Sequence, residues 1–500
     1  MNEHSPHPAA YYDGTASKPV PVPDQLEADL EAFEQAERRR LGLQAQPVSH
    51  FVEPRQRGFN KVQRATTTIL LGGLSRTQDL IAAAGFRGLG YKAEALDIPD
   101  HEAFRIGKEF CNRGQCNPAF FTVGNLVKHL MHLRDNIGLS TQDIIDRYVF
   151  LTAGACGPCR FGLYAGEFRK AVREAGFDGF RILLFQQQDG PRQIIGGDTG
   201  LEFTPAVFVM LIRTVGAGDV VNLMGYRIRP YEVETGATDA AIGECQRILV
   251  AAFEQRSSVL HALRQCGRLF AAVKVNRTRE KPKVALVGEF WAINTEGDGN
   301  YKLQRFLEAE GAEVDVEPVT SWLSYMLWHN RWDTRRRLGL KIPDHGRQGL
   351  ARKHPRRRLF KLWAADKVLR ALYWSYAVAI GLPARRLSSM DKLASLAEEY
   401  YDLHLRGGEG HLEVAKFLET VHRRSAQLVI SVKPFGCLPS SGVSDGVQSL
   451  VKAKYPTVAF TTIETTGDAA IAAYSRIQME LFKMCHSLHA RRANDSSKAD

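Results

Sequence analysis

Apolar positions along the chain fall into short, partly β-branched runs stopped by glycine or proline, each followed by a longer stretch of helical period. The first is Thr66-Thr-Thr-Ile-Leu-Leu-Gly-Gly73, which predicts a buried strand. A helix pattern over Asp79–Ala84 and a strand near Lys92–Ile98 complete a β-α-β alternation. It continues with strands at Tyr148–Thr152 and Arg181–Gln187 around a helix at Phe161–Ala175, then a mostly helical stretch from 201 to 275. A second start follows, with strands at Val284–Gly288, Glu313–Val316, Gln427–Val432 and Thr457–Thr461. Helix patterns at Tyr301–Ala309, Val443–Lys452 and Ala469–Cys485 separate them. Continuous apolar strands alternating with helices imply parallel sheets covered on both faces.

The expected architecture is therefore α/β: two Rossmann-like, doubly wound domains with mainly parallel sheets, helical insertions and a mobile N-terminal arm. Residues 1–62 form the arm, rich in Pro, Glu, Gln and Arg with one helix-like patch near Leu26–Leu43. Residues 63–275 form the first domain, and basic Lys274–Lys283 reads as a linker. Residues 276–490 form the second, with a basic helical insertion at 320–400, and 491–500 a frayed tail.

Five hundred residues at 44% hydrophobic content are ample for such cores. No apolar run is expected to approach the ~20 residues that cross a bilayer. The first forty residues lack the order of a secretory signal, so the cytoplasm is the expected location and no membrane is expected as partner. In that compartment the eight cysteines read as thiols, metal ligands or redox groups rather than disulfides.

The net charge of +11 is concentrated. Arg331–Arg370 carries fourteen Lys/Arg against three Asp, which equals the excess of the whole chain. Such a run reads first as a solvated helical face. Docking to an acidic protein or a nucleotide-bearing substrate is the next reading. No nucleic-acid-binding module accompanies it.

Cys111 and Cys116 lie in a turn-rich loop, Phe110-Cys-Asn-Arg-Gly-Gln-Cys-Asn-Pro118, before a helix pattern at Phe120–Leu133. Cys156 and Cys159 form Cys-Gly-Pro-Cys between the strand Tyr148–Thr152 and the helix that Arg160 begins. Cys437 sits in Lys433-Pro-Phe-Gly-Cys-Leu-Pro-Ser440, also beyond a strand and before a helix. Carboxyl ends of strands in open α/β sheets form the ligand crevice, and helix N-termini there favour thiolates and anionic sulfides. These five cysteines are the expected ligands of an iron–sulfur cluster. A thioredoxin-type dithiol at Cys156 and Cys159 and a structural zinc site are the alternatives. Cys245, Cys266 and Cys485, on helix patterns, read as small core hydrophobes. Glu289, at the end of a second-domain strand, is the candidate proton donor or acceptor. Lys433 and Arg160 are candidates to offset cluster charge. Asp198-Thr199-Gly200 reads as an ordinary turn rather than a phosphate loop.

The strings Ala155-Cys-Gly-Pro-Cys-Arg-Phe-Gly162, Val287-Gly-Glu289 and Lys433-Pro-Phe-Gly-Cys-Leu-Pro-Ser440 resemble the 2-hydroxyacyl-CoA dehydratase superfamily. The nearest branch is that described as CoA-protein activase or 2-hydroxyglutaryl-CoA dehydratase D-component-related, and the likeness spans about Thr66 to Lys483. It implies two facing Rossmann-like domains whose cysteines hold a [4Fe–4S] or double-cubane cluster. It also implies a partner: an ATP-hydrolysing activator of actin-like fold that delivers a low-potential electron. A related subunit or a homodimer, and an acyl-CoA or other small substrate, are further implied partners. Dehydratase subunits usually present three cysteines and leave one iron for substrate, whereas five candidates stand here. The expected function is accordingly a low-potential electron-transfer or reductase component. The alternatives are a 2-hydroxyacyl-CoA dehydratase subunit, a lyase, with the basic segment on the CoA phosphates, and a metal-stabilised accessory or scaffold protein without catalysis.

Overall fold

The computed structural model describes residues 24–42, 58–154, 159–186, 200–278, 280–338, 354–405, 408–456 and 458–496. The chain divides into two compact units, Met1–Arg55 and Gln56–Asp500. In the first, Asp24–Arg40 is helical, where the sequence places its helix-like patch, and Arg38 pairs with Glu34 one turn earlier at 2.9 Å. The remainder of the predicted arm, up to residue 57, and the last residues of the tail lie outside the described residues.

The second unit contains two four-stranded sheets, all parallel. Strands β1 (Thr68–Leu71), β2 (Lys92–Ala95), β3 (Tyr148–Gly154) and β4 (Arg181–Gln186) lie in the order β2-β1-β3-β4. Strands β5 (Lys283–Gly288), β6 (Glu313–Val316), β7 (Leu428–Pro434) and β8 (Ala459–Thr465) repeat it as β6-β5-β7-β8. All eight predicted strands are present. Every residue of β7 is buried, as are Val284–Gly288 of β5, because helices cover both faces. In each sheet the order reverses beside the first strand, so the crevices lie at the carboxyl ends of β1 and β3 and of β5 and β7.

Helices Pro205–Ile228, Ala237–Glu254 and Val259–Ala272 bind the two sheets into one core, which runs from Ile69 and Val149 to Val284, Leu286 and Leu428. Helix Pro205–Ile228 is long and apolar enough to cross a membrane by length and composition. It is the central core helix instead, 61% of its apolar window being buried by protein. Buried Asp219 on this helix accepts the backbone N–H groups of Val319 and Thr320 at 3.0 and 2.7 Å and so caps helix Val319–Arg337. Gln78 donates to it from the first sheet's opening helix, Arg76–Gly88, at 2.9 Å.

The basic segment occupies helices Val319–Arg337 and Pro355–Ile380; residues 339–353 are outside the described set. Several of its cations serve packing rather than a solvated face. Arg331 pairs with Asp391 at 2.5 Å, Arg358 donates to Thr334 and Asn330, and Arg370 donates to the carbonyls of Leu387 and Ser388. Arg356, Arg357, Lys361 and Lys367 are exposed. The expected linker is tied down at its start, where Val233 and Asn276 exchange main-chain bonds with Lys274 and Tyr231.

Candidate functional site

The cysteine loop of the first sheet hangs between two helices. Helix His101–Phe110 ends at Cys111, whose N–H donates to Gly107, and Cys116 caps the start of helix Asn117–Asp135, with Pro118 in its first turn. Buried Glu167, on helix Tyr164–Glu174, fixes the intervening turn. It accepts the N–H and side-chain amide of Asn112 at 2.9 and 2.7 Å and the side chain of Gln115 at 3.0 Å. Lys170 adds a bond to the carbonyl of Phe110 at 2.8 Å.

Cys159 follows β3 and precedes the 3-10 turn Arg160–Leu163. Its motif partner Cys156 lies outside the described residues. Cys437 follows β7, the topological counterpart of β3 in the second sheet. Its N–H donates to Pro434 at 3.0 Å, and its thiol donates to Ser440 Oγ at 3.3 Å.

The loops of the two sheets meet. The N–H of Asn117 donates to the carbonyl of Phe435 at 3.0 Å, and the Asn117 side chain donates to Thr465 Oγ1 at 3.3 Å. Gly436, at φ +75°, lies so near that a Cβ there would stand 3.3 Å from Cys116 Cα. Cys116 Sγ is hydrogen-bonded to the buried Tyr164 hydroxyl at 2.9 Å.

Electrostatics separate the thiols into two groups. Burial pushes Cys116, Cys159 and Cys437 up, Cys159 to about 12, and the carboxyl of Glu289 adds to the rise in all three. Burial also pushes Cys111 up to about 12, but the carboxyls it senses are Glu167 and Glu174. Cys116, Cys159 and Cys437 thus share one environment centred on Glu289, and Cys111 has another. Cys245 and Cys266 are fully buried side by side between helices, away from any strand end. Cys485 falls on helix Ala470–Ser496, its side chain outside the described set.

Glu289 is positioned by Gly288. With φ at +131°, Gly288 presses so close to β7 that a Cβ would stand 2.1 Å from the carbonyl of Val432, the same oxygen that accepts the Glu289 N–H at 3.1 Å. The half-buried Glu289 carboxylate then caps helix Phe290–Asn294, accepting the Ala292 N–H at 2.8 Å, and burial raises it to about 7.

Two further carboxyls, which sequence reasoning missed, join it. Glu409 accepts the Phe290 N–H at 3.0 Å, and Glu413 accepts the Ser440 hydroxyl at 2.5 Å. Both are buried, with their carboxyls raised chiefly by burial; the Ser440 and Ser444 hydroxyls lower Glu413 in part, and Glu409 keeps one oxygen without a hydrogen-bond partner among the described residues. Ser440 therefore links Cys437 to Glu413. Lys433 is buried and paired with Asp445; burial lowers it to about 8, against the pull of Glu413 and Cys437. Arg160 reaches toward the first loop, 3.8 Å from a Cβ built on Gly114. Gly200, the one described member of the predicted Asp198–Gly200 turn, packs against Phe59 and Asn60.

Among the described residues, no three His, Cys, Asp or Glu side chains stand close enough to share a single metal ion. Thiols and carboxyls whose burial favours their proton-bearing forms thus stand on loops from both halves of the unit. Comparison with models of protein families and with curated proteins finds no match for this chain.

Proposed function

We propose that this chain holds an iron–sulfur cluster between its two sheets, as in the 2-hydroxyacyl-CoA dehydratase superfamily that it resembles. It would act as a low-potential electron-transfer or reductase component served by an ATP-dependent activator. The observation that carries the reading is the meeting of the Cys116 and Cys437 loops through the Asn117–Phe435 bond.

The donor set suits such a group. Three soft ligands, buried Cys116 and Cys437 and the partly buried Cys159, come from separate loops, and thiolates are the ligands that iron–sulfur clusters take. Cys116, Cys159 and Cys437 would hold it, with Cys156 a further candidate. When bound, the cluster supplies one-electron reduction. Tyr164 can donate its hydroxyl hydrogen to the Cys116 sulfur, and Ser440 keeps Cys437 oriented while bonded to Glu413. Glu289, with its carboxyl near neutrality, can take or release a proton beside the thiols. The different environment of Cys111 favours a dehydratase subunit as second reading, because three thiols leave one iron free for a substrate oxygen.

Anaerobic reconstitution with iron and sulfide, metal counting and EPR test the proposal on the wild type and Cys437→Ser. The wild type should take up iron and sulfide together and the variant should lose most of both. A wild type that binds neither, or a variant with full iron content, overturns it.

A further inference from the structure

Helix Pro355–Ile380 is buried on one side only. Tyr373, Tyr376, Ala377 and Ile380 pack into the core, so the helix lies along the body of the protein with its other side outward. That outer face runs from Arg356 to Val378, about 33 Å at ~1.5 Å per residue. Its apolar members, Phe360, Trp363, Val368, Trp374 and Val378, are each between 42% and 68% exposed. Its cations are Arg356, Arg357, Lys361 and Lys367, none in an ion pair among the described residues. The helix's one acid, Asp366, is half-buried and accepts the Ser324 hydroxyl at 2.7 Å. Lys367 lies over the ring of Trp363 at 6.0 Å, and exposed Arg386, beyond the helix end, over that of Trp374 at 5.1 Å.

Single exposed apolar side chains are ordinary, but five along one helix face form a stripe that water solvates poorly. Uncompensated cations interleaved with them repel one another. One occupant relieves both costs if it is apolar and anionic. The composition decides its class. From Arg356 to Val378 every exposed residue is Arg, Lys, Trp, Phe, Val or Ala. Protein interfaces carry about one hydrogen bond per 100–200 Å², and this face exposes no neutral hydrogen-bonding side chain except the indoles. Cations set among Trp, Phe and aliphatic side chains are instead the composition of helices that lie in the interface of an anionic bilayer. We propose that the outer face of this helix docks on the surface of an anionic lipid bilayer. Phe360, Val368, Trp374 and Val378 enter the headgroup boundary, while the long side chains of Arg356, Arg357, Lys361 and Lys367 reach the lipid phosphates and carboxylates. A face that lies on a bilayer needs neither a spanning run nor a secretory signal, so the sequence features that speak against a membrane do not bear on it. No residue of the thiol loops takes part, and the proposal stands apart from the cluster reading.

The test uses the full chain with vesicles of phosphatidylcholine alone and of phosphatidylcholine mixed with phosphatidylserine, read by co-flotation and tryptophan fluorescence. The mixed vesicles should bind the chain and shift its emission to the blue, and the neutral ones should do neither. Molar salt should weaken the binding. Lys361→Gln combined with Lys367→Gln should weaken it at least about tenfold, at about fivefold for each cation near a charged surface. Phe360→Ser combined with Trp374→Ser should cost a similar factor, about tenfold, and leave the salt dependence in place. All four side chains are exposed, and a urea midpoint close to the wild type confirms that each variant is folded. Should a variant not fold, brominated lipid with the wild type decides, because acyl-chain bromine must quench the tryptophan emission. Equal binding to both kinds of vesicle, wild-type binding by both variants, or no quenching overturns the proposal. So does polyglutamate binding as tight as that of the mixed vesicles, which would make the partner an acidic protein.

Discussion

The backbone N–H of Asn117 and the carbonyl of Phe435, 3.0 Å apart, join the two cysteine loops through main chain alone. Side-chain changes at either residue leave this bond in place, whereas a change in backbone freedom beside it does not. Gly436 is that place. A Gly436→Ala variant must hold φ near +75° with a side chain and find room against Cys116 Cα and Gln115 O, both at 3.3 Å. It should lose about 1–3 kcal/mol by urea denaturation. Its reconstituted iron content should fall with stability, and wild-type values for both would show that the loops are held together elsewhere.

The two thiol environments predict unequal serine variants. Cys116→Ser and Cys159→Ser should each lose most of the iron after reconstitution, and Cys111→Ser should keep it. Equal losses in all three would place Cys111 among the ligands.

Asp219 predicts a purely structural effect. Asp219→Ala removes the acceptor for the N–H groups of Val319 and Thr320, for the Thr320 hydroxyl and for Gln78, all buried. The cost should be about 2–4 kcal/mol, since a helix cap is lost and donors are left unpaired. A urea midpoint close to the wild type would count against this account of how the core helix holds the basic insertion.

Stability should fall as pH rises through the neutral range. Asp79, Asp219 and Glu289 are each raised by burial to about 7, and Glu409 and Glu413 are raised as well. Each binds its proton more tightly folded than unfolded. Their contribution is complete below the ordinary carboxyl range near pH ~4 and is lost as pH climbs through about 7. Carboxylates held low by partners, such as Asp239 and Glu419, act oppositely and only in acid. The urea midpoint should therefore be lower at pH 8 than at pH 5, and a midpoint that rises between them would contradict the raised carboxyls of these groups.

The strands were legible because each is an apolar run ending at glycine, proline or a polar turn, a local signal that the two parallel sheets reproduce. Helices His101–Phe110 and Phe290–Asn294 were not, being short and set against loop-like composition. The positions of Cys159, Cys437 and Glu289 followed from the rule that ligand-bearing loops leave the carboxyl ends of strands. Glu409 and Glu413 escaped it, since they leave no strand end: Glu413 lies in the first turn of helix Leu412–Arg423 and Glu409 in the glycine-rich turn before it. The glycines themselves were a usable signal. Gly408 and Gly410 both take positive φ, and at Gly410 a Cβ would stand 2.2 Å from the Tyr325 hydroxyl. The basic segment misled for a related reason. Charge along a sequence does not distinguish Arg358, which ties two helices together, from exposed Arg357.

The identical strand order of the two sheets puts Cys159 and Cys437 after corresponding strands but about 280 residues apart in the chain, a gap of about 15–55 s of synthesis at ~5–20 residues per second. The thiols of the first half therefore leave the ribosome long before the residue that completes their surroundings exists. In that interval the crevice has no second sheet beside it, so the yield of competent protein in a cell should depend on how reducing the medium around the nascent chain is.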